Sequence, residues 1–137
     1  MEWTEDLAVG VPRIDDQHKE LFRRINSLVY AIKTGKCKDT IDGTIQFLAE
    51  YALSHFGEEE RFMADHRYPE REQHKAQHAI FMRALDGIKK QAAEPRVRGM
   101  SYDLSVETNR VVVDWIITHI MSVDKKLGAF LQNKELL

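Results

Sequence analysis

The sequence predicts an all-α protein, an antiparallel up-down-up-down four-helix bundle entered by an N-terminal arm. Three observations carry this. Four long segments repeat apolar residues at alternating spacings of three and four, the period of a helix with one buried face. Only three prolines and seven glycines occur, and most sit where that period lapses. The β-branched run Val111, Val112 and Val113 lies inside a helical period with no turn residue near it, so the one strand signal is overruled by its surroundings. At 137 residues and 43% apolar, the chain has the material for a single core, and the whole of 1–137 reads as one domain.

Each element follows from its own residues. Residues 1–13 form the arm, which packs on the bundle because Trp3 and Val9 would otherwise stand in water. The first helix covers about 15–33, with Ile14, His18, Leu21, Ile25, Leu28 and Ile32 on one stripe and Gly35 just past its end. The second covers about 40–66, capped by Asp39 or Thr40, with Ile41, Ile45, Leu48, Ala52, His55, Glu59 and Phe62 on one face. Pro69 suits the first turn of a third helix over 69–93, which aligns His74, His78, Phe81, Leu85 and Ile88. A polar loop with Pro95 and Gly99 leads to a fourth helix over about 103–132, starting near Ser101 or Asp103 and carrying Val112, Ile116, His119, Val123, Leu127 and Phe130. Short connections favour antiparallel neighbours, every stripe facing a shared axis.

Composition excludes several functions. With 20 Lys and Arg against 22 Asp and Glu, the net charge of −2 supplies no general attraction to nucleic acid or to an anionic membrane surface. The longest apolar stretch, Val111 to Met121, is broken by Asp114 and His119 and falls short of a membrane span, so no membrane insertion is expected. Cys37 stands alone, which rules out an intrachain disulfide and any Cys-based zinc or iron–sulfur site. The start MEWTEDLAVG lacks the basic and apolar regions of a signal peptide, and the expected location is cytoplasmic.

The histidines are the informative residues. His18, His55, His74, His78 and His119 all fall on stripes where apolar residues belong; of the six, only His66, at the end of the second helix, does not. Glu59 lies one turn after His55 on the same face, and a buried carboxylate without a partner costs several kcal/mol, so something cationic must meet it. His55 with Glu59 and His74 with His78 are i, i+4 pairs that project two ligands from adjacent turns toward one point. A zinc-protease motif would need Glu directly after the first His, where Lys75 stands. His119 has an aspartate five residues away on either side, Asp114 and Asp124, and that spacing is about 140° on an ideal helix. Either one reaches a common site with His119 only if the helix widens locally or the carboxylate swings round, and the spacing does not choose between them. Glu58 and Glu60 read as a solvated face, and Cys37 receives no role.

Taken in order, His18, His55 with Glu59, His74 with His78, and His119 with Asp124 resemble the pattern H…HxxxE…HxxxH…HxxxxD of the hemerythrins, and the resemblance runs the length of the chain. It selects Asp124 over Asp114 and implies a non-haem centre of two Fe ions, with two bridging carboxylates and an oxo or hydroxo bridge. An octahedral pair offers ~12 positions, and five imidazoles, two bridging carboxylates and one bridging oxygen fill all but one. The resemblance places the vacancy on the iron held by His18 and His55, with His74, His78 and His119 on the other, and implies reversible dioxygen binding there for storage, delivery or buffering.

The donor set is imidazole-rich, unlike the carboxylate-rich di-iron bundles, which favours carriage over oxidation and a protein that is not an enzyme. Leu21, Phe56 and Ile116 lie within a turn of ligands and are the candidates to line a dry oxygen pocket, with Trp115 behind them. The same site would also serve a sensor of oxygen, nitric oxide or redox state acting through a separate partner, or a di-iron peroxidase or iron store. The sequence names no oxygen-consuming client.

Overall fold

Pro12 opens the first helix. Its missing N–H is one that a helix start leaves unpaired anyway, so α1 runs Pro12–Lys33 and takes in three residues that the sequence reading gave to the arm or its edge. The computed structural model describes residues 2–93 and 107–133. Within these, α2 spans Lys38–Asp65, α3 spans Arg71–Ala93, and α4 runs over 107–133; there is no strand among the described residues. The expected loop with Pro95 and Gly99, and the expected start of the fourth helix at Ser101 or Asp103, lie outside them. α1 packs on α2, α2 on α3, and α4 on both α3 and α1, which closes an antiparallel up-down-up-down four-helix bundle.

Helix ends differ from expectation for local reasons. The N-cap of α2 is Cys37, ahead of Asp39 and Thr40, and its thiol lies 3.3 Å from the Thr40 hydroxyl. Gly35 takes φ +68°, the left-handed conformation that closes a helix, and the Lys36 N–H then reaches back to the Ala31 carbonyl at 3.0 Å. Arg67 does the same after α2 at φ 54°, where the Tyr68 N–H donates to the Met63 carbonyl at 2.9 Å. Pro69 therefore sits in the turn between helices, and α3 starts two residues later than expected.

α4 is not a regular α-helix. Asn109–Val113 and Ile120–Asp124 are π-helical, and across each the backbone bond reaches back five residues: Asp114 N–H to Asn109 and Lys125 N–H to Ile120. The second of these adds one residue to the turn after His119. Asp124 consequently takes the inward position expected for Val123, and Leu131 the one expected for Phe130. In α2, Met63 is fully buried where Phe62 was expected, the two being neighbouring choices one turn beyond Glu59.

The core has two halves. Leu28, Ile32, Ile41, Ile45, Leu85 and Ile88 fill one with apolar side chains alone, each burial stabilising by roughly 1.5–3 kcal/mol. The other half holds the polar stripe positions. The arm closes over that end: a short 3-10 turn at Glu5–Leu7 leads Leu7, Val9 and Val11 into the core, and Trp3 lies half-buried with the Lys19 ammonium 4.5 Å above its ring. The Val9 N–H donates to the Asp15 carboxylate at 2.8 Å, and the Gln132 side chain donates to the Gly10 carbonyl at 3.1 Å. The Val9 carbonyl passes so close to Gly128 that no side chain fits there.

Candidate metal centre

α1 brings His18 to the polar half of the core, α2 His55 and Glu59, α3 His74 and His78, and α4 His119 and Asp124; none of the seven is more than 2% exposed. Asp114, the alternative to Asp124, lies on the surface. The π-helical turn puts Asp124 on the face of His119, because it replaces the α-helical offset of about 140° with a turn that brings residues five apart together.

The two carboxylates divide their oxygens between two sets of imidazoles. Glu59 turns Oε2 toward His18 and His55, at 3.8 and 3.5 Å from their Nε2 atoms, and Oε1 toward His74 and His78, at 3.5 and 3.1 Å. Asp124 turns Oδ2 toward His18 at 3.1 Å and Oδ1 toward His74 and His119 at 3.0 and 3.1 Å. The donor atoms form two clusters that share Glu59 and Asp124: one with His74, His78 and His119, the other with His18 and His55.

These contacts are close in distance but wrong in direction. All five Nε2 atoms and all four carboxylate oxygens are buried and without a hydrogen-bond partner. So many orphaned acceptors in a dry core would be strongly destabilising by themselves. Neutral imidazole lone pairs and carboxylate oxygens are, however, the donor set of a transition-metal cation, and cations among them would satisfy every one.

The electrostatics of the metal-free cluster lead to the same requirement. Burial and the neighbouring Asp124 push Glu59 up, but His55, His74 and His78 outweigh them and hold it ionised below its ordinary range. Asp124 is likewise held well below its ordinary value, against burial, by His119, His18 and His74. Positive charge is favoured on two of the imidazoles, His74 and His18. Burial opposes protonation of His74, yet the facing Asp124 and Glu59 raise it to about 9, and His18 is raised in the same way. His55 is lowered to about 4, chiefly by burial.

Two rings are held from behind. The His55 Nδ1–H donates to Gln17 Oε1 at 2.6 Å, and the His78 Nδ1–H donates to Glu60 Oε2 at 3.0 Å, each leaving Nε2 free to face the cluster. Gln17 in turn donates to Glu58, which pairs with Arg13. Sequence reasoning missed these residues. Glu58 and Glu60 are not a plainly solvated face, with side chains only 19% and 30% exposed, because each reaches across to another helix. Only Gln17, adjacent to His18, carried a positional hint.

Leu21, Phe56 and Ile116 are all buried. Phe56 stacks on the His78 ring at a centroid distance of 3.9 Å and an interplanar angle of 11°, and Trp115 stacks on His119 at 4.5 Å and 11°. His66 is half-buried at the end of α2, away from the cluster, and Cys37 is exposed.

Residues 9–131 match the family described as the hemerythrin HHE cation binding domain. The chain belongs to the hemerythrin family. Among its hemerythrin relatives, the bacteriohemerythrin of Pseudomonas paraeruginosa is 34% identical over 123 residues, 89% of this chain and 75% of that protein. The bacteriohemerythrin of Methylococcus capsulatus is 30% identical over 129 residues, 93% of this chain and 94% of its own length. A crystal structure of wild-type hemerythrin superposes with a TM-score of 0.79 at 31% identity, covering 94% of this chain and 95% of that one. Hemerythrins bind a di-iron centre and, through it, dioxygen, and the buried histidine and carboxylate cluster of this chain is suited to that metal pair. None of the described helices is long and apolar enough to cross a membrane.

Proposed function

We propose that this chain binds dioxygen reversibly at a di-iron centre, as a non-enzymatic protein of oxygen storage, delivery or buffering in the cytoplasm. One observation carries the reading: each of two carboxylates presents one oxygen to a set of three imidazoles and the other to a set of two. Carboxylates so shared would hold two ions in unequal sites. His74, His78 and His119 would hold one iron and His18 and His55 the other, with Glu59 and Asp124 between them. The pair supplies, when bound, reversible two-electron donation to dioxygen.

The protein's own contribution is to hold and to exclude. Gln17 and Glu60 fix two rings with Nε2 turned inward. The poorer set, His18 and His55, has one imidazole fewer and would be the side on which a small ligand binds, and the buried Leu21, Phe56 and Ile116 are the side chains proposed to keep water and anions from it. Phe56 lies between the two sets, its ring 5.7 Å from that of His55 and stacked on that of His78. Five imidazoles to two carboxylates give few anionic donors, which favours a reduced resting pair and return of dioxygen unchanged. A cytoplasmic location is supported by the single, free Cys37.

The deciding experiment exposes the iron-loaded protein to dioxygen and then lowers the pressure. Recovery of dioxygen in full, with about two irons per chain, is the expected result. Consumption of dioxygen with release of peroxide or an oxidised product would make the protein an enzyme and overturn the reading.

A further inference from the structure

Behind the poorer imidazole set lies a chain of contacts that runs from the buried His55 to the surface. The His55 Nδ1 faces Gln17 Oε1 at 2.6 Å, the Gln17 amide nitrogen faces Glu58, and Glu58 pairs with Arg13, whose side chain is 66% exposed. The order of donors along this chain is not arbitrary. A carboxylate paired with a guanidinium can only accept, so Glu58 must meet the N–H side of the Gln17 amide. The amide oxygen is then left facing His55 and can itself only accept. His55 must therefore carry its proton on Nδ1, and its Nε2 lone pair is turned toward Glu59.

His78 reaches the same tautomer by a shorter route, donating directly to the carboxylate of Glu60 at 3.0 Å. The other three rings have no such support: the Nδ1 atoms of His18, His74 and His119 are buried without a hydrogen-bond partner. So each of the two imidazole sets has one ring fixed from behind. The backing group is a neutral amide in the set of two and a charged carboxylate in the set of three. A carboxylate makes its imidazole the stronger donor, while an amide fixes the ring without adding charge.

We infer that Gln17 is a positioning residue for the metal site of His18 and His55, and that Glu58, anchored by Arg13, sets its amide orientation and through it the tautomer of His55. This rests on the proposed ligand set and adds to it a control of one ring from the protein surface. The sharpest variant is Glu58→Gln, which keeps shape and volume but puts an amide at 58. Position 58 then both donates and accepts, the Gln17 amide is free to turn, and His55 is free to carry its proton on Nε2, where it no longer binds metal.

Anaerobic titration with ferrous iron reads the affinity of each of the two ions, and 15N spectra of ring-labelled histidine in the metal-free protein, where no ion fixes the ring, read the tautomer. Glu58→Gln and Gln17→Leu are expected to weaken one of the two ions by about 10- to 100-fold and leave the other unchanged. The double exchange of Gln17→Glu with Glu58→Gln reverses the polarity of the pair while keeping an acceptor toward His55, and is expected to restore both affinity and tautomer. A purely structural role for Gln17 predicts no such rescue. Wild-type affinity for both ions in Glu58→Gln, with His55 still protonated on Nδ1, overturns the inference. Uptake of fewer than two ions by the unaltered protein would instead overturn the ligand set itself, and this inference with it.

Discussion

His119 Nε2 and Asp124 Oδ1 lie 3.1 Å apart across a single π-helical turn, Ile120–Asp124, in which the Lys125 N–H bonds to the Ile120 carbonyl. An α-helix would point these side chains about 140° apart. Widening the turn by one residue brings a carboxylate and an imidazole from the same helix to one point. From the middle of this turn the Ser122 hydroxyl donates back to the Thr118 carbonyl at 2.6 Å.

This geometry separates three aspartate variants. Asp124→Ala is expected to lower iron content from two ions per chain toward none, since it removes one of the two shared carboxylates. Asp114→Ala, at an exposed position, should leave content unchanged. Val123→Asp added to Asp124→Ala restores the four-residue spacing of an ordinary helix and should not restore binding, because the π turn directs residue 124 inward and not 123. Elemental analysis of the three purified proteins checks all of this, and rescue by Val123→Asp would show that the turn does not set the register.

The metal-free protein should lose stability in alkali. The folded state raises His74 from 6.5 to about 9 through Asp124 and Glu59, and it raises His18 as well. Their stabilisation is full below the unfolded value near 6.5 and disappears as pH climbs through the folded value. For His74 this is of order 3 kcal/mol. Urea midpoints of the apoprotein should therefore fall between pH 6.5 and pH 9.5. Metal displaces these protons, so the iron-loaded protein should show a much flatter profile over that range, and metal uptake should release protons. An apoprotein equally stable at both pH values would mean that the carboxylates do not depend on imidazolium partners.

Ile116 is fully buried one turn before His119. Its truncation to Ala costs about 2–5 kcal/mol in any core, so stability alone does not test a pocket role. Leu48→Ala, in the apolar half of the bundle, is the control with a similar structural cost. At matched iron content, Ile116→Ala is expected to shorten the lifetime of the dioxygen-loaded protein several-fold more than Leu48→Ala does. Equal lifetimes, followed by absorbance, would return Ile116 to core filling.

Gly128→Ala should dislodge the arm. A Cβ at this position would collide with the Val9 carbonyl oxygen, which is backbone and cannot turn aside as a flexible side chain would. The expected cost is about 1–3 kcal/mol, with Leu7 and Val9 losing their seats and the half-buried Trp3 moving into water. A drop in Tm together with a red shift of tryptophan emission checks it, and wild-type values of both would mean that the arm adapts around a methyl group.

The sequence by itself determined the four helices and the polar residues that interrupt their stripes, because apolar period and its violations are local properties of a chain. Ile14, His18, Leu21 and Ile25 are legible as one face whatever they pack against. The same holds for the pairs His55 with Glu59 and His74 with His78, which one helical turn brings together. Tertiary structure decided what depends on neighbours from other elements or on departures from ideal geometry. Gln17 and Glu60 back histidines on other helices, so no spacing reveals them. The necessity of glycine at 128 appears only when the arm lies across it. Asp124 and Leu131 take inward positions because one π turn shifts the register by a residue, and a period of 3.6 applied along the chain cannot anticipate where a helix will widen.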